Sequence, residues 1–393
     1  MKAGDVVGGY TLLEDFRVVG AGLSEWTFAE RDGREFFIKR FLSPTYPDDD
    51  APGSAATKAR KRARCAAFEA HHRGIQVALA PVTRYGGNLI TTLDFFRQGA
   101  KYYKVTEKVD LAGLDVTDVA ALEYSTKLVL LKTVAHSLKV LHDLHIVHSD
   151  LKPSNVMIKR TELGYTTKLI DFDNSYMVGS PPPPEDIVGT MNYYSPELVR
   201  YIQGADNGSE LTGASDIFAL GLIYAEYLTG ALPPFAAAHH EAAVAVLNGV
   251  PLQVPPAGVP AGVAQLVDRM LLAAPSARPA IDEVHATLMG HRPAAATTTA
   301  RPLRPPVRPG RSPGSTLRGR GLRIADSAGS VTPSTPTSVG PTTGDGHSAS
   351  EPTDVPSPAG SAARAGSDSD PTATALSTLM GRLLTKLQER RSR

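Results

Sequence analysis

The chain has 393 residues, of which 42% are hydrophobic and 21% charged, and its formal net charge is +1. That supplies apolar material for one large or two ordinary domains, and gives no global charge to draw the chain to nucleic acid or a membrane surface. One cysteine, Cys65, excludes an internal disulfide and a cysteine-built zinc site, and no apolar run approaches the roughly 20 residues of a membrane span. Residues 1–9 are polar and glycine-rich, unlike a signal peptide, so a soluble chain in a reducing cytoplasm is expected.

In chain order, residues 12–19, 25–31 and 34–41 read as three strands, the last two joined by the hairpin signal Asp32-Gly33. A loop over 44–54 leads to a helix over 55–77, followed by strands over 89–96 and 102–108. From 120 to 290 the apolar period is helical, with helices expected over 122–144, 215–229, 237–248, 263–272 and 281–289. Composition changes near His291. Residues 291–372 are rich in Pro, Ser, Thr and Arg, too poor in large apolar groups to offset chain entropy, and are expected to be disordered. Over 373–393, Leu376, Leu379, Met380, Leu383, Leu384 and Leu387 fall at helical spacing. Arg390, Arg391 and Arg393 follow, where a helix dipole favours cations.

The densest chemistry lies in two stretches. Val147-His148-Ser149-Asp150-Leu151-Lys152-Pro153-Ser154-Asn155 puts a carboxylate, a lysine and an amide in one loop, and Leu169-Ile170-Asp171-Phe172-Asp173 ends an apolar strand on a second carboxylate. Phosphoryl transfer from a metal nucleotide needs these groups: a carboxylate for the hydroxyl, a cation near the moving phosphate and oxygen ligands for hard Mg²⁺. Upstream, Val19-Gly20-Ala21-Gly22-Leu23-Ser24 lets backbone amides approach phosphate oxygens, a weak signal alone. Phe36-Phe37-Ile38-Lys39 ends an apolar strand on an ammonium that needs a partner. Glu69, the only acid between Asp50 and Asp94, is the economical one.

In order and spacing these motifs resemble those of eukaryotic-type serine/threonine protein kinases, over residues 10–290. The resemblance implies an α+β, two-lobed fold with a β-rich lobe over 10–108 and a helical lobe over 109–290. It implies ATP and Mg²⁺ in the cleft between them. Residue by residue, it makes Gly20 and Gly22 the phosphate loop, Lys39 the phosphate-positioning lysine and Glu69 its partner. Glu107, Lys108 and Val109 become the adenine-receiving hinge, with Thr106 guarding a deeper pocket. Asp150 becomes the base or orienter of the hydroxyl, Lys152 the γ-phosphate cation, and Asn155 and Asp171 the Mg²⁺ ligands. Ser195-Pro196-Glu197 resembles the end of the activation segment, Arg278 its arginine partner, and Asp216 the anchor of the catalytic loop. The weight of Ala, Pro, Arg and Gly suits a GC-rich, actinobacterial genome.

Three positions depart from the family. Ser149 replaces an arginine that would bind an activation-segment phosphate, so activity is expected to depend little on phosphorylation at Ser175, Tyr176 or Thr190. Asp173 replaces a glycine, and Glu25 replaces the third glycine of the phosphate loop. Lys58, Arg60, Lys61, Arg62 and Arg64 read as a solvated helix face rather than a nucleic-acid patch. His71, His72, His142, His145 and His148 read as packing or surface groups rather than metal ligands. Pro181 to Pro184 favour extended polyproline backbone. The expected partners are protein substrates, a phosphothreonine-binding partner on the Thr-Pro-rich tail unless that tail is a mere spacer, and a protein docked by the terminal helix. A pseudokinase scaffold and a small-molecule kinase are the rival readings.

Overall fold

The computed structural model describes residues 1–18, 24–48, 50, 52–83 and 87–291. The expectations for Gly20 and Gly22, for the linker beyond His291 and for a helix over 373–393 lie outside the described residues. Strands β1 (Val6–Val7), β2 (Tyr10–Leu12), β3 (Arg17–Val18), β4 (Ser24–Arg31) and β5 (Arg34–Phe41) precede helix α1 (Ala55–Thr83). Strands β6 (Asp94–Gln98) and β7 (Lys101–Glu107) complete an antiparallel sheet of order β1-β2-β4-β5-β7-β6, with β3 on β4. The β4–β5 turn is built by Asp32 (φ 56°) and Gly33 (φ 72°), both left-handed as a tight hairpin requires.

Alternation along β5 splits the sheet into two faces. Phe36 and Ile38 enter a core with Tyr10, Leu12, Ala29, Tyr103 and Val105. Phe37, Lys39 and Phe41 take the other face, where Phe41 packs with Cys65 of α1, Phe95 and Tyr102. α1 runs past the expected end at residue 77 because the buried series Cys65, His72, Ile75 and Leu79 continues its apolar stripe. The strand expected from residue 89 begins only at Asp94. Residues 88–90 instead pair with the lower lobe, Leu169 donating to the Asn88 carbonyl and Ile90 to the Leu169 carbonyl.

The lower lobe contains α2 (Val116–Ala121), α3 (Tyr124–Asp143), β8 (Ile146–Val147), β9 (Val156–Thr161), β10 (Gly164–Leu169), β11 (Tyr176–Met177), α4 (Pro196–Ile202), α5 (Gly213–Thr229), α6 (Ala242–Leu247), α7 (Ala261–Met270) and α8 (Ile281–Gly290). α5 is apolar on nearly every side and is buried along most of its length, the centre of a core shared with α3 and α7. The helix expected over 237–248 is shorter, a 3₁₀ turn at Ala237–His239 preceding α6. α4 starts where Ser195 caps it and Pro196 takes the first helical position, which needs no donor.

Glu197, in the first turn of α4, meets Arg278 in a two-pronged pair at 2.7 and 2.8 Å, and Ser215 donates to the same carboxylate at 2.8 Å. Both charged side chains are fully buried. We expect Arg278→Met to strand Glu197 and lower the urea-unfolding free energy by about 3–5 kcal/mol. Removing both charges in Arg278→Met/Glu197→Leu recovers most of that loss; an Arg278→Met chain as stable as the wild type contradicts the assignment.

Candidate active site

Two short ladders assemble the site. β9 pairs antiparallel with β10, Val156 opposite Leu169, so Asn155 just before β9 meets the residues just after β10. The Ile170 amide donates to the Asn155 carbonyl at 3.0 Å, which brings Asp171 beside Asn155. β8 pairs with β11, Val147 opposite Tyr176, and closes the two loops from their other ends. The loop carrying Asp150 and the loop carrying Asp171 are therefore held at both ends by each other.

Asp216, nearly fully buried at the start of α5, fastens the first loop. Its carboxylate accepts from the amides of His148 (2.8 Å) and Ser149 (2.9 Å), and pairs with His142 Nε2 at 3.0 Å. His148 reaches the Ile170 carbonyl at 3.0 Å, and its ring lies against Phe172. Ser149 (φ 68°) and Asp171 (φ 63°) both occupy the left-handed region, a strain that persists only where neighbours fix the backbone. One immediately precedes Asp150 and the other is the second loop's own carboxylate residue.

Asp150 is held by Lys152 Nζ at 2.8 Å, and Lys152 also donates to Thr190 Oγ1 at 3.0 Å. Asn155 donates its amide nitrogen to the Asp150 backbone oxygen at 2.8 Å, leaving its amide oxygen as the atom that can accept a cation. Ser175 Oγ donates to the His148 carbonyl and Ser175 is fully buried, as is almost all of Tyr176. Pro182 offers its carbonyl to the Tyr201 hydroxyl at 3.0 Å, so the proline run packs on α4.

The roof of the site is the Lys39 face of the sheet. The expected Lys39–Glu69 pair is not formed. Lys39 Nζ lies 2.6 Å from Asp173 Oδ2 and 3.2 Å from both Asp171 oxygens, whereas Glu69 accepts from the Tyr102 hydroxyl at 2.6 Å. The reason is a residue that sequence reading passed over. Lys104 stands directly opposite Lys39 on β7, almost wholly buried, and donates to Asp173 Oδ1 and, at 3.2 Å, to Asp171 Oδ1. Two lysines side by side draw both aspartates in. A lysine inside the apolar run Tyr102-Tyr103-Lys104-Val105 was the available signal, because such a lysine needs an acid.

α1 touches this cluster through histidines. His71 Nε2 meets the Asp173 carbonyl oxygen at 2.9 Å and His72 Nδ1 lies 3.8 Å from Asp173 Oδ1. Burial opposes ionisation of Asp173, but Lys104 and then Lys39 hold its carboxyl well below the usual carboxylate range. Burial likewise pulls against the Lys39 ammonium, and Asp173 and then Asp171 hold it above the ordinary lysine range. Glu25 points away from this face. It pairs in register with Arg40, which donates to it at 2.8 Å, so its charge is matched on the opposite side of the sheet.

Toward the end of β7, Thr106 is buried opposite Phe37, and Glu107, Lys108 and Val109 lead into the lower lobe. Lys108 pairs with Glu35 at 2.6 Å, and the Glu107 side chain is half exposed. Trp26, opposite Lys39, stacks with Phe37, and Phe28 meets both edge-on. This half-buried aromatic patch adjoins the hinge and went unremarked in the sequence.

Among the described residues no group of three or more His, Cys, Asp or Glu side chains forms a metal cage. The donors at hand suit a different arrangement. One carboxylate and one amide oxygen beside two lysines fit a hard cation completed by phosphate and water. Asp171 and Asn155 would hold it, and Lys39 would face the phosphate charge.

The profile of the protein kinase domain matches residues 73–288, more than half of the chain. The serine/threonine-protein kinase PknA of Corynebacterium glutamicum is 32% identical over 32% of this chain and 25% of its own length. The Aurora kinase of Schizosaccharomyces pombe is 31% identical over 38% of this chain and 39% of its own. Mitogen-activated protein kinase kinase 2 of Arabidopsis thaliana is 33% identical over 37% of this chain and 39% of its own. The chain thus matches between a quarter and two-fifths of these relatives.

The neutral state of His72 has a measurable consequence. Burial pushes its imidazole down to about 4, Asp173 opposing and Lys104 reinforcing the shift. Between that value and the ordinary ~6.5 the unfolded chain takes up a proton that the folded chain refuses, so stability falls with pH in that window. Asp173 titrates below it. Taking the wild type from pH 7 to pH 5 is expected to cost about 2 kcal/mol at this residue, read by urea unfolding. His72→Phe removes that part of the slope, and an unchanged slope in the variant refutes it.

Proposed function

Because the chain belongs to the protein kinase family, we propose that it transfers the γ-phosphate of ATP, bound with Mg²⁺, to serine and threonine hydroxyls of proteins, including its own tail. The observation that carries this reading is the convergence of Asp150, Lys152, Asn155 and Asp171 from two mutually paired loops beneath Lys39. The Ser/Thr class is supported by Lys152, two positions after Asp150 and bonded to Thr190, and by the names of the relatives.

Asp150 accepts the hydrogen bond of the substrate hydroxyl and receives its proton, with its carboxylate oriented by Lys152. Lys152, beside it, places an ammonium where the moving phosphate carries charge. Lys39 fixes the nucleotide phosphates from above. Asn155 and Asp171 would hold the cation, which would supply positive charge against the phosphates. Glu107 and Val109 supply backbone groups to the base. Ser175 and Tyr176 are shut inside the lobe, which supports activity without phosphate on either.

No helix among the described residues is long and apolar enough to cross a membrane, and Cys65 is buried and free; both support a cytoplasmic protein. Its partners on this reading are protein substrates, a phosphothreonine-binding module on the tail and a protein docked by the last segment. The buried Glu197–Arg278 pair supports a protein kinase over a small-molecule kinase, since it buttresses the segment that a protein substrate would meet.

Asp150→Asn and Lys39→Met are each expected to leave a folded protein whose transfer of radiolabelled phosphate falls at least ~100-fold. Wild-type rates in both variants would remove the proposal. Trp26, the single tryptophan, lies opposite Lys39, so MgATP should change its fluorescence saturably; an unresponsive Trp26 in a protein that fails to bind ATP by calorimetry would do the same.

A further inference from the structure

Lys39 and Lys104 face one another in register across β5 and β7, so two ammonium groups share one buried sheet face. Like charges set directly opposite repel. Asp173 lies between them and gives one oxygen to each, Oδ2 to Lys39 at 2.6 Å and Oδ1 to Lys104. The side chains of Asp173 and Lys104 are 13% and 6% exposed, so water does little to neutralise either. The segment is clamped from behind by His71 on the Asp173 carbonyl.

α1 brings no acid to Lys39, because its single acid, Glu69, is engaged by Tyr102. Asp171 touches Lys39 from both oxygens at 3.2 Å. When that carboxylate turns to a cation, Asp173 is the acid among the described residues that remains on Lys39. We propose that Asp173, with Lys104 as its counter-cation, is the positioning residue that holds Lys39 over the phosphates, in the place the family gives to a helix glutamate. The inference rests on the kinase reading of Asp171. It makes residue 173, a glycine in the family pattern, and residue 104 a matched pair in this chain.

The test compares Asp173→Asn, Asp173→Glu, Glu69→Gln and the double variant Asp173→Asn/Lys104→Met in the full-length protein. Readouts are kcat, the ATP KM and thermal melting. Asp173→Asn is expected to lower kcat by about 30-fold with the ATP KM within about threefold, the mark of lost positioning rather than lost binding. Asp173→Glu restores at least about a tenth of the activity, and Glu69→Gln stays within about twofold of the wild type. The double variant, which strands no charge, regains the wild-type melting temperature but remains slow. A double variant with restored kcat would mean that Asp173 only neutralises Lys104, and would overturn the proposal, as would a Glu69→Gln enzyme as slow as Asp173→Asn. A wild type that transfers no phosphate would remove the kinase reading instead. The proposal would then be decided by the wild-type crystal structure with a non-hydrolysable MgATP analogue: Lys39 on Asp173 upholds it, Lys39 on Glu69 overturns it.

Discussion

The opposition of Val156 and Leu169 is the constraint from which the rest of the site follows. Because side-chain direction alternates every residue along a strand, a one-residue slip of this hairpin would turn every inward group outward. Fixed as it is, it delivers Asn155 and Asp171 to the same place. The Tyr176–Val147 pairing closes the far side, so two loops that would each be mobile alone become one unit. The left-handed backbones of Ser149 and Asp171 are tolerable only in such a frame.

Asp216 and Arg278 do comparable work from below. Asp216 holds two consecutive loop amides with one carboxylate, and burial makes those bonds hard to exchange for water. Arg278 and Glu197 sit fully enclosed, where an unmatched charge would be very costly. Both acids lie at or near helix starts, α5 and α4, where the dipole also favours negative charge. The helical lobe is therefore braced at the points where it supports the Asp150 loop and the segment ending at Ser195-Pro196-Glu197.

The upper lobe reaches charge balance by an unusual route. In place of a lysine on a strand and a glutamate on a helix, two lysines on adjacent strands meet two aspartates from the lower lobe. His72 stays neutral between them and α1 contributes polar contacts rather than charge. Asp173, Lys104 and the rerouted Glu69 are consistent with one another. The acid at 173 accompanies the lysine at 104, and the glutamate, no longer needed at Lys39, satisfies a buried tyrosine hydroxyl.

Much of this was legible in the residues themselves. The order of Lys39, Asp150, Asn155, Asp171, Glu197, Asp216 and Arg278 depends on covalent spacing alone, and apolar period was enough to find β4, β5, β7, α3, α5 and α8 within a few residues. An apolar strand ending at Asp171 was legible, but its hairpin partner β9 was not, because Val156–Thr161 is mixed in polarity; the strand expected from residue 89 starts late because Leu89 and Ile90 serve the lower lobe instead. The partner of Lys39 could not be read at all. Sequence shows which acids exist, and helix α1 offers only one, but whether that acid or a distant one reaches an ammonium depends on register across a sheet and on which neighbour competes. Here Lys104 and Tyr102 settled the matter, through contacts that exist only once β5, β7 and the loop after β10 are folded together.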